Sequence, residues 1–401
     1  MRMWRFDRGL VLVSARFDCH KEPEHLIRLL LYLAFATPSQ LGFDPTVTRM
    51  GSCDGDPPSY VYHVGGRYHR TQGNPLSESS ASLLFSRGVR VWVVKECDVS
   101  GAVLPGAREK VLKDFWVWQD TCLESETQHK IITSLRKRDV EDLFPGDGDS
   151  RVGRLKKLLL NIEAEENVQV SGEPALTVLR PPSAIHESEP GGMEVESQPI
   201  SSKESQSARE EQHAPPLPHR CVHRRVLMEE KCQTFYDCNN MKHALSAAID
   251  IAKALFYFRE AGFMHCDISG GNCLVWVDPQ TGLPHGKLAD LEFCKAYTDA
   301  GSPDDPVTGT LEFLAVECRC RELLFSPPVE SNDGETLDAE EGFLARALQQ
   351  IEEHLQALPN AGSTSLHNSL TTPPNTTKPR ATAHASAPFH RNFYHDLEGL
   401  Y

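Results

Sequence analysis

"GFMHCDISGGNCLVWVDPQTGLPHGKLADLEF", residues 262–293, carries the polar residues that decide how this chain is read. Asp267 and Asn272 stand just before the apolar run "CLVWV", and Asp290 closes the next run, "KLAD". The turn "DPQTGLPHG" joins the two, so they read as short buried strands paired in a hairpin. A hairpin brings its open ends together, which gathers two carboxylates and a carboxamide at one edge. Phosphoryl transfer from a nucleotide uses such a set: one carboxylate orients the acceptor hydroxyl, while a carboxamide and a second carboxylate hold Mg²⁺ against the phosphates. A hard cation takes oxygen ligands, and Asn and Asp supply them.

Singly, each of these residues reads equally well as a turn-former or a cap. Their order makes them specific. His265-x-Asp267-x(4)-Asn272 lies between a long helix and a strand, Asp290 follows the returning strand, and "GTLEFLAVE", Gly309–Glu317, comes next. The helix is "NMKHALSAAIDIAKALFYFREAG", where Ala244, Ala248, Ile251, Leu255 and Phe258 recur at steps of three and four before Gly262 stops it. Ahead of it, "HRRVLMEEKC" reads as a buried strand running into an acidic turn.

Further upstream, "ASLLFSRGVRVWVVKECD" contains a strand over Val89–Lys95, and "REKVLKDFWVW" a second that carries Lys113. The Lys113 ammonium is placed to neutralise the phosphates that are not transferred. "TCLESETQHKIITSLRKR" is helical, and another helix is expected over Val152–Ile162. The N-terminal "WRFDRGLVLVSARFD" reads as a hairpin. "KEPEHLIRLLLYLAFA" reads as a helix begun near Pro23 and ended by Pro38, and being apolar nearly all round it is expected to be buried. Strands come first and helices later, which is an α+β arrangement of two lobes.

The 401 residues exceed what the folded part needs. Glu163–Pro218 and Ser326–Pro388 are rich in Glu, Ser, Pro, Gln and Ala, too poor in apolar residues to offset the entropy of ordering, and are expected to be disordered. A net charge of −15 argues against nucleic acid or an anionic membrane as partner. The local basic cluster Arg136, Lys137, Arg138, Arg154, Lys156 and Lys157 reads as a solvated helix face. The 12 cysteines contain no CxxC pair, and Met1–Asp7 does not read as a signal peptide. Leu26–Ala36, the most apolar run, is broken by Arg28 and is shorter than the ~20 residues a membrane span needs. These features point to an intracellular protein, of cytoplasm or nucleus, with mostly free thiols.

The ordered set resembles a eukaryotic protein kinase, and specifically the fungal-type protein kinase family. "WRFDRGLVLVSARFD", "HKEPEHLIRLLLYLAF" and "LGFDPT" are similar to that family's N-terminal segment. "VLKDFW", "VHRRVLMEE", "HCDISGGN", "LADLEF", "GTLEFLAVE" and "FYHDLEGLY" are similar to its successive kinase motifs. The resemblance implies ATP and Mg²⁺ as cofactors and a protein Ser or Thr hydroxyl as acceptor, with Asp267 as catalytic carboxylate, Asn272 and Asp290 as metal ligands and Lys113 as the ATP-binding lysine. It further implies an adenine hinge over Val226–Glu229, including Met228, a groove for the acceptor peptide shaped by Thr310, and support of the catalytic loop by Asp396.

The chain departs from that pattern in four places. Only "SRG", with Arg87 and Gly88, stands where a glycine-rich loop is expected. The partner of Lys113 is expected to be Glu124 or Glu126, with Glu126 preferred, although alignment against "KIITSL" sets Gln128 at that position. Cys266 replaces the arginine usual between His265 and Asp267, which implies activity independent of activation-loop phosphorylation. Further helices are expected after "YHDLEGLY", so Glu317 is expected to lack its arginine partner and the larger lobe to be incomplete.

The expected organisation is therefore an N-terminal segment over 1–75, a sheet-rich lobe over 76–162, a disordered linker over 163–218, hinge and catalytic core over 219–325, a disordered insertion over 326–390, and the start of a central helix over 391–401. The expected activity is Ser/Thr protein kinase, with an impaired or truncated kinase-like binding module as the alternative.

Overall fold

The computed structural model describes residues 1–6, 8, 11–51, 57–78, 86–137, 150–177, 220–297, 309–320, 346–353 and 393–400. The chain opens on an antiparallel hairpin, β1 (Trp4–Phe6) against β2 (Val11–Val13), with Trp4 opposite Val13. Helix α1 (Pro23–Phe35) starts at Pro23, whose missing N–H costs nothing in a first turn. The expectation that α1 is buried fails. None of its residues is buried, and Ile27, Leu30, Leu31, Tyr32, Leu33 and Phe35 are all exposed. Its contacts run along His25, Leu26 and Leu29, which are half-buried, with His25 edge-on to the buried Phe17 ring.

Strands β3 (Val47–Met50), β4 (Ser59–Val64), β5 (Arg67–Thr71), β6 (Ser77–Glu78), β7 (Arg90–Cys97) and β8 (Glu109–Trp118) follow. Helices α2 (Glu124–Lys137) and α3 (Arg151–Leu158) lead to β9 (Ile162–Asn167), a small hairpin β10 (Gln169–Val170) with β11 (Glu173–Pro174), and β12 (Cys221–Met228). The main sheet has 8 strands in the order β3-β4-β5-β7-β8-β12-β9, with β6 beside β7. Its pairings are all antiparallel. The N-terminal segment therefore continues the sheet of the smaller lobe.

The sheet curls until β4 meets β9. The Gly65 amide donates to Glu166 at 3.2 Å, and a Cβ on Gly65 would lie 2.8 Å from that of Ala164. Inside the curl, Tyr62, Val64, Trp92, Val94, Leu112 and Leu227 form a core. Alternation along β8 sends Leu112 and Asp114 to this side and Val111, Lys113, Phe115 and Val117 to the other. With both faces covered, all residues of β12 are buried.

A charge cluster fastens the N-terminal segment to this sheet. Arg225, 1% exposed, donates through Nε to Asp114 at 2.9 Å and through Nη2 to Asp44 at 2.6 Å and Thr46 at 2.9 Å. His223 joins Asp114 at 2.8 Å. Asp44, Asp114 and His223 are close enough to ligate a cation, but the Arg225 guanidinium already bonds both carboxylates. Burial opposes the Asp114 charge, yet its bonds to His223 and Arg225 outweigh that and hold its carboxyl below the usual range.

Two stretches expected to be disordered are corrected in part. The helix expected over Val152–Ile162 stops at Leu158, and Ile162 begins β9 instead. Residues 163–177, placed in the linker, are ordered because their acids have partners: Glu163 pairs with Lys110 at 2.5 Å, and Glu165 caps α2 by accepting the amides of Glu124 and Ser125 at 2.9 and 2.7 Å. Residues 178–218 of that linker lie outside the described residues. Within the expected insertion, α6 (residues 346–353) is helical, and its Glu352 pairs with Lys253 at 2.5 Å. The remainder of 326–390 lies outside the described residues.

The larger lobe is built on α4 (Met241–Ala261). Asn240 caps it by accepting the Lys242 and His243 amides, and Gly262 closes it in the left-handed region at φ 82°. Ile251, Leu255 and Phe258, with Ala247 and Ala254, are buried against α2, α3 and a hairpin. The strands of this hairpin, β15 (Cys273–Val277) and β16 (Pro284–Leu288), form a sheet with β13 (Gln233–Thr234). The two-residue strands β14 (Phe263–Met264) and β17 (Lys295–Ala296) pair beside it, and α5 (Val316–Cys320) and α7 (Phe393–Glu398) complete the described lobe. The fold is α+β with two lobes, the kinase-like arrangement expected.

Candidate active site

The loop between β14 and β15 is held from beneath by a buried carboxylate. Asp396, on α7, accepts the amides of His265 and Cys266 at 2.6 and 3.1 Å. These bonds keep Cys266 at φ 67°, a left-handed conformation that a side chain resists. Its thiol is buried, 2% exposed. His265 is fully buried, and burial lowers its pKa, so the ring is neutral. Its Nδ1 accepts the Asp267 amide at 3.3 Å, which leaves Nε2–H to donate to the Ala289 carbonyl at 3.0 Å.

That arrangement presents Asp267. Its Oδ1 accepts both the amide and the hydroxyl of Thr310, at 2.8 and 2.9 Å, and its Oδ2 accepts the Asn272 amide nitrogen at 2.9 Å. The same nitrogen donates to the Asp267 carbonyl at 2.8 Å. Asn272 thereby commits its donor group to the loop and keeps its carbonyl oxygen for other partners. The β15–β16 register places Cys273 opposite Leu288, and the Ala289 amide donates to the Asn272 carbonyl at 3.0 Å. Asn272 and Asp290 thus lie at one edge, as the hairpin reading requires.

Asp290 reaches across to the smaller lobe, where its Oδ2 accepts from Lys113 Nζ at 2.8 Å. It sits at φ 64° before a short 3₁₀ turn, Leu291–Phe293. Burial opposes its charge, but Lys113 outweighs burial and depresses the carboxyl pKa. The same pairing, with Glu124, raises Lys113 against the desolvation of its ammonium. The helix carboxylate at this cluster is Glu124, whose Oε1 accepts the Asp290 amide at 3.2 Å. Glu126, preferred from the sequence, is exposed on the outer side of α2. Helix α2 begins at Glu124 and turns that residue inward, while Gln128 donates to the Leu160 carbonyl at 3.1 Å. Burial, with Asp290 and Glu165 nearby, pushes the Glu124 carboxyl up to about 7.

Where the lobes meet lies an apolar cluster. Val111 and Met228 from the sheet meet Ala289 from the hairpin, with half-buried Val91, Cys232 and Leu274 at the margin. Met228 ends β12, and the next amide, Glu229, donates to the Asn161 carbonyl at 3.0 Å. Val91, Val111 and Leu274 escaped the sequence reading because a β-strand valine or leucine looks the same wherever it packs. Strand register alone places them here.

The "SRG" remnant is also part of the site. Arg87 crosses the cleft and pairs with Glu292, two residues beyond Asp290. Glu317, expected to lack its arginine partner, is buried and bonded to His395 at 2.8 Å. The donor set fits a nucleotide with a hard divalent cation: two oxygen-bearing side chains at one edge for the cation, a lysine beside them, and apolar side chains at the end of β12 against which a planar base can pack. Among the described residues, no helix is long and apolar enough to cross a membrane.

The family described as fungal protein kinase matches residues 1–324. Among solved structures, the ROP18 kinase domain in complex with AMP-PNP and sucrose is similar at 15% identity, with a TM-score of 0.29, over 74% of this chain. The match spans 66% of that chain, just under two thirds. No curated protein matches.

Proposed function

Because the chain belongs to the fungal protein kinase family, we propose that it transfers the γ-phosphoryl group of ATP, with Mg²⁺, to a Ser or Thr hydroxyl of a protein. The observation that carries this reading is the contact of Asp267 with Thr310, where one carboxylate oxygen holds the amide and hydroxyl of the "GTLEFLAVE" segment. It fixes the Asp267 carboxylate at the point where an acceptor peptide would enter, and a fixed carboxylate can orient an acceptor hydroxyl for in-line attack. The acceptor oxygen forms its bond to the γ-phosphorus as the bond to the bridging oxygen breaks. ADP leaves, and the hydroxyl proton passes toward Asp267. Asn272 and Asp290 would hold Mg²⁺, which neutralises charge developing on the leaving phosphates. Lys113 would share that work, and the adenine would pack against Val111, Met228 and Leu274.

A binding module without turnover is the second reading, favoured because both carboxylate oxygens of Asp267 are already engaged. One pair of assays on the full chain separates the two. Mg-ATP is expected to raise the melting temperature of parent and Asp267→Ala alike, and only the parent is expected to move label from γ-labelled ATP to Ser or Thr of a general protein acceptor. A thermal shift without labelling selects the binding module. Labelling by Asp267→Ala at the parent rate overturns the assignment of that residue.

A further inference from the structure

We propose that Arg87 is a phosphate-binding residue of this site, held by Glu292 until the terminal phosphates of a nucleoside triphosphate take that carboxylate's place. The proposal rests on the nucleotide reading of the cleft.

Arg87 is placed by backbone. Its carbonyl accepts the Trp116 amide at 2.9 Å, and its Nε donates to the Trp116 carbonyl at 3.2 Å, so the segment before β7 is laid along β8. Its guanidinium carbon lies 5.4 Å from the centre of the Phe115 ring, and Lys113 Nζ lies 4.7 Å from the same centre. Two cations therefore share one ring at the mouth of the cleft, and their acids, Asp290 and Glu292, stand two residues apart.

The pairing is lopsided. The Glu292 side chain is 8% exposed, whereas that of Arg87 is 37% exposed and open to an incoming anion. A phosphate group offers the guanidinium fork two charged oxygens, as a carboxylate does, with more charge behind them. In a glycine-rich loop, backbone amides do this work. Here the described residues before β7 offer Ser86, Arg87 and Gly88 in its place, with the Arg8 side chain bonded to Ser86 at 3.4 Å.

The test is the binding of Mg-ATP and of adenosine to the full chain, for the parent, Arg87→Ala, Arg87→Lys and Glu292→Gln, with melting temperatures taken without ligand to check folding. Arg87→Ala is expected to weaken Mg-ATP about tenfold or more while leaving adenosine within twofold, and Arg87→Lys to recover part of the loss. Glu292→Gln, which frees the guanidinium, is expected to tighten Mg-ATP. Equal weakening of both ligands by Arg87→Ala, or weakening of Mg-ATP by Glu292→Gln, makes the pair a structural strap and overturns the proposal. Parent that binds Mg-ATP no differently from Arg87→Ala overturns it alone. Parent that binds neither ligand overturns the nucleotide reading and this inference with it.

Discussion

Lys113 and Asp114 are neighbours on β8, yet they serve opposite faces of the sheet. Lys113 looks into the cleft, where Asp290 and Glu124 surround it and partial solvent access remains. Asp114 looks into the curl of the sheet, where Arg225 and His223 hold it and Asp44 completes the cluster from the N-terminal segment. The inner cluster is closed, since its cation is spent on two carboxylates of its own chain. In the cleft, a lysine faces a carboxylate near neutrality and another that has metal-ligating chemistry, so its partners can be exchanged. A strand's alternation thus lets one residue step separate a fastening from a binding site.

The sharpest break of this contrast is Asp114→Ala. It leaves the buried Arg225 guanidinium with Asp44 as its one carboxylate partner in the cluster, and breaking a buried pair by removing one partner costs about 3–5 kcal/mol. The unfolding midpoint in urea should fall accordingly. Replacing Asp114 and Arg225 together by apolar residues of similar size should recover part of the loss, because neither member of the pair is left behind and Asp44, partly exposed, stays beside His223. A midpoint unchanged by Asp114→Ala would show that the inner cluster does not fasten the N-terminal segment.

The same two faces were unequally legible in the sequence. The catalytic loop could be read because polar residues interrupt apolar runs at fixed spacing, and chemistry constrains both type and order. Asp267, Asn272, Asp290 and Lys113 therefore stood out before any geometry was known. Asp44, Arg225 and His223 did not, because Arg225 is the second of two adjacent arginines in "HRRVLMEE" and its partner lies far upstream. The N-terminal segment had no readable role for the same reason: its strands join the sheet by long-range pairing, which leaves no local signature. The α1 helix erred in the other direction, since periodicity reports what a helix could bury and not what is packed against it. Glu124 was considered but passed over for Glu126, two residues on, a difference within the usual blur of helix boundaries.

A third carboxylate sharpens the comparison at the catalytic loop. Asp396→Ala leaves the His265 and Cys266 amides buried without their acceptor, and a buried orphan donor costs about 1–3 kcal/mol. With two such donors and a left-handed Cys266 no longer held, the stability loss should be about 2–4 kcal/mol. Amide exchange at His265 and Cys266 should speed up more than that at β8, which separates a local loosening of the loop from global unfolding. Equal acceleration at both places would mean that Asp396 supports the whole lobe and not this loop.

Acidity separates the two faces next. The Glu124 carboxyl is raised to about 7, above its ordinary value, so the folded protein keeps a proton that the unfolded chain releases near pH 4–5. The stability tied to this proton is complete below that range and is lost as pH rises to about 7. Its size is roughly 3 kcal/mol, from the displacement of the pKa. Asp290 runs the other way, with stability lost on acidification below its unfolded value. Melting temperatures from pH 5 to 8 should therefore decline for the parent and stay flatter for Glu124→Gln. Parallel curves would refute the raised carboxyl.

The smallest effect should come from Lys113 itself, and it sets the cleft apart from the inner cluster most directly. Lys113→Met deletes a cation as central to its cluster as Arg225 is to the other, so a purely structural pairing would lose several kcal/mol. Here Glu124 already titrates near neutrality, and without the lysine its carboxyl rises further and stays protonated at pH 7. Proton uptake at Glu124 offsets part of the lost cation, while Asp290 loses the partner that depresses its carboxyl, so the cost should stay below that of Asp114→Ala. The double variant Lys113→Met with Glu124→Gln should melt close to the single Lys113→Met, because the proton it would take up is replaced by a neutral amide. The coupling is read from the double-mutant cycle at pH 7 and again at pH 5. It should shrink at pH 5, where Glu124 is protonated in every variant that retains it. A coupling that did not change between the two pH values would place the lysine's charge outside the reach of Glu124 and return Lys113 to the same fixed role as Arg225.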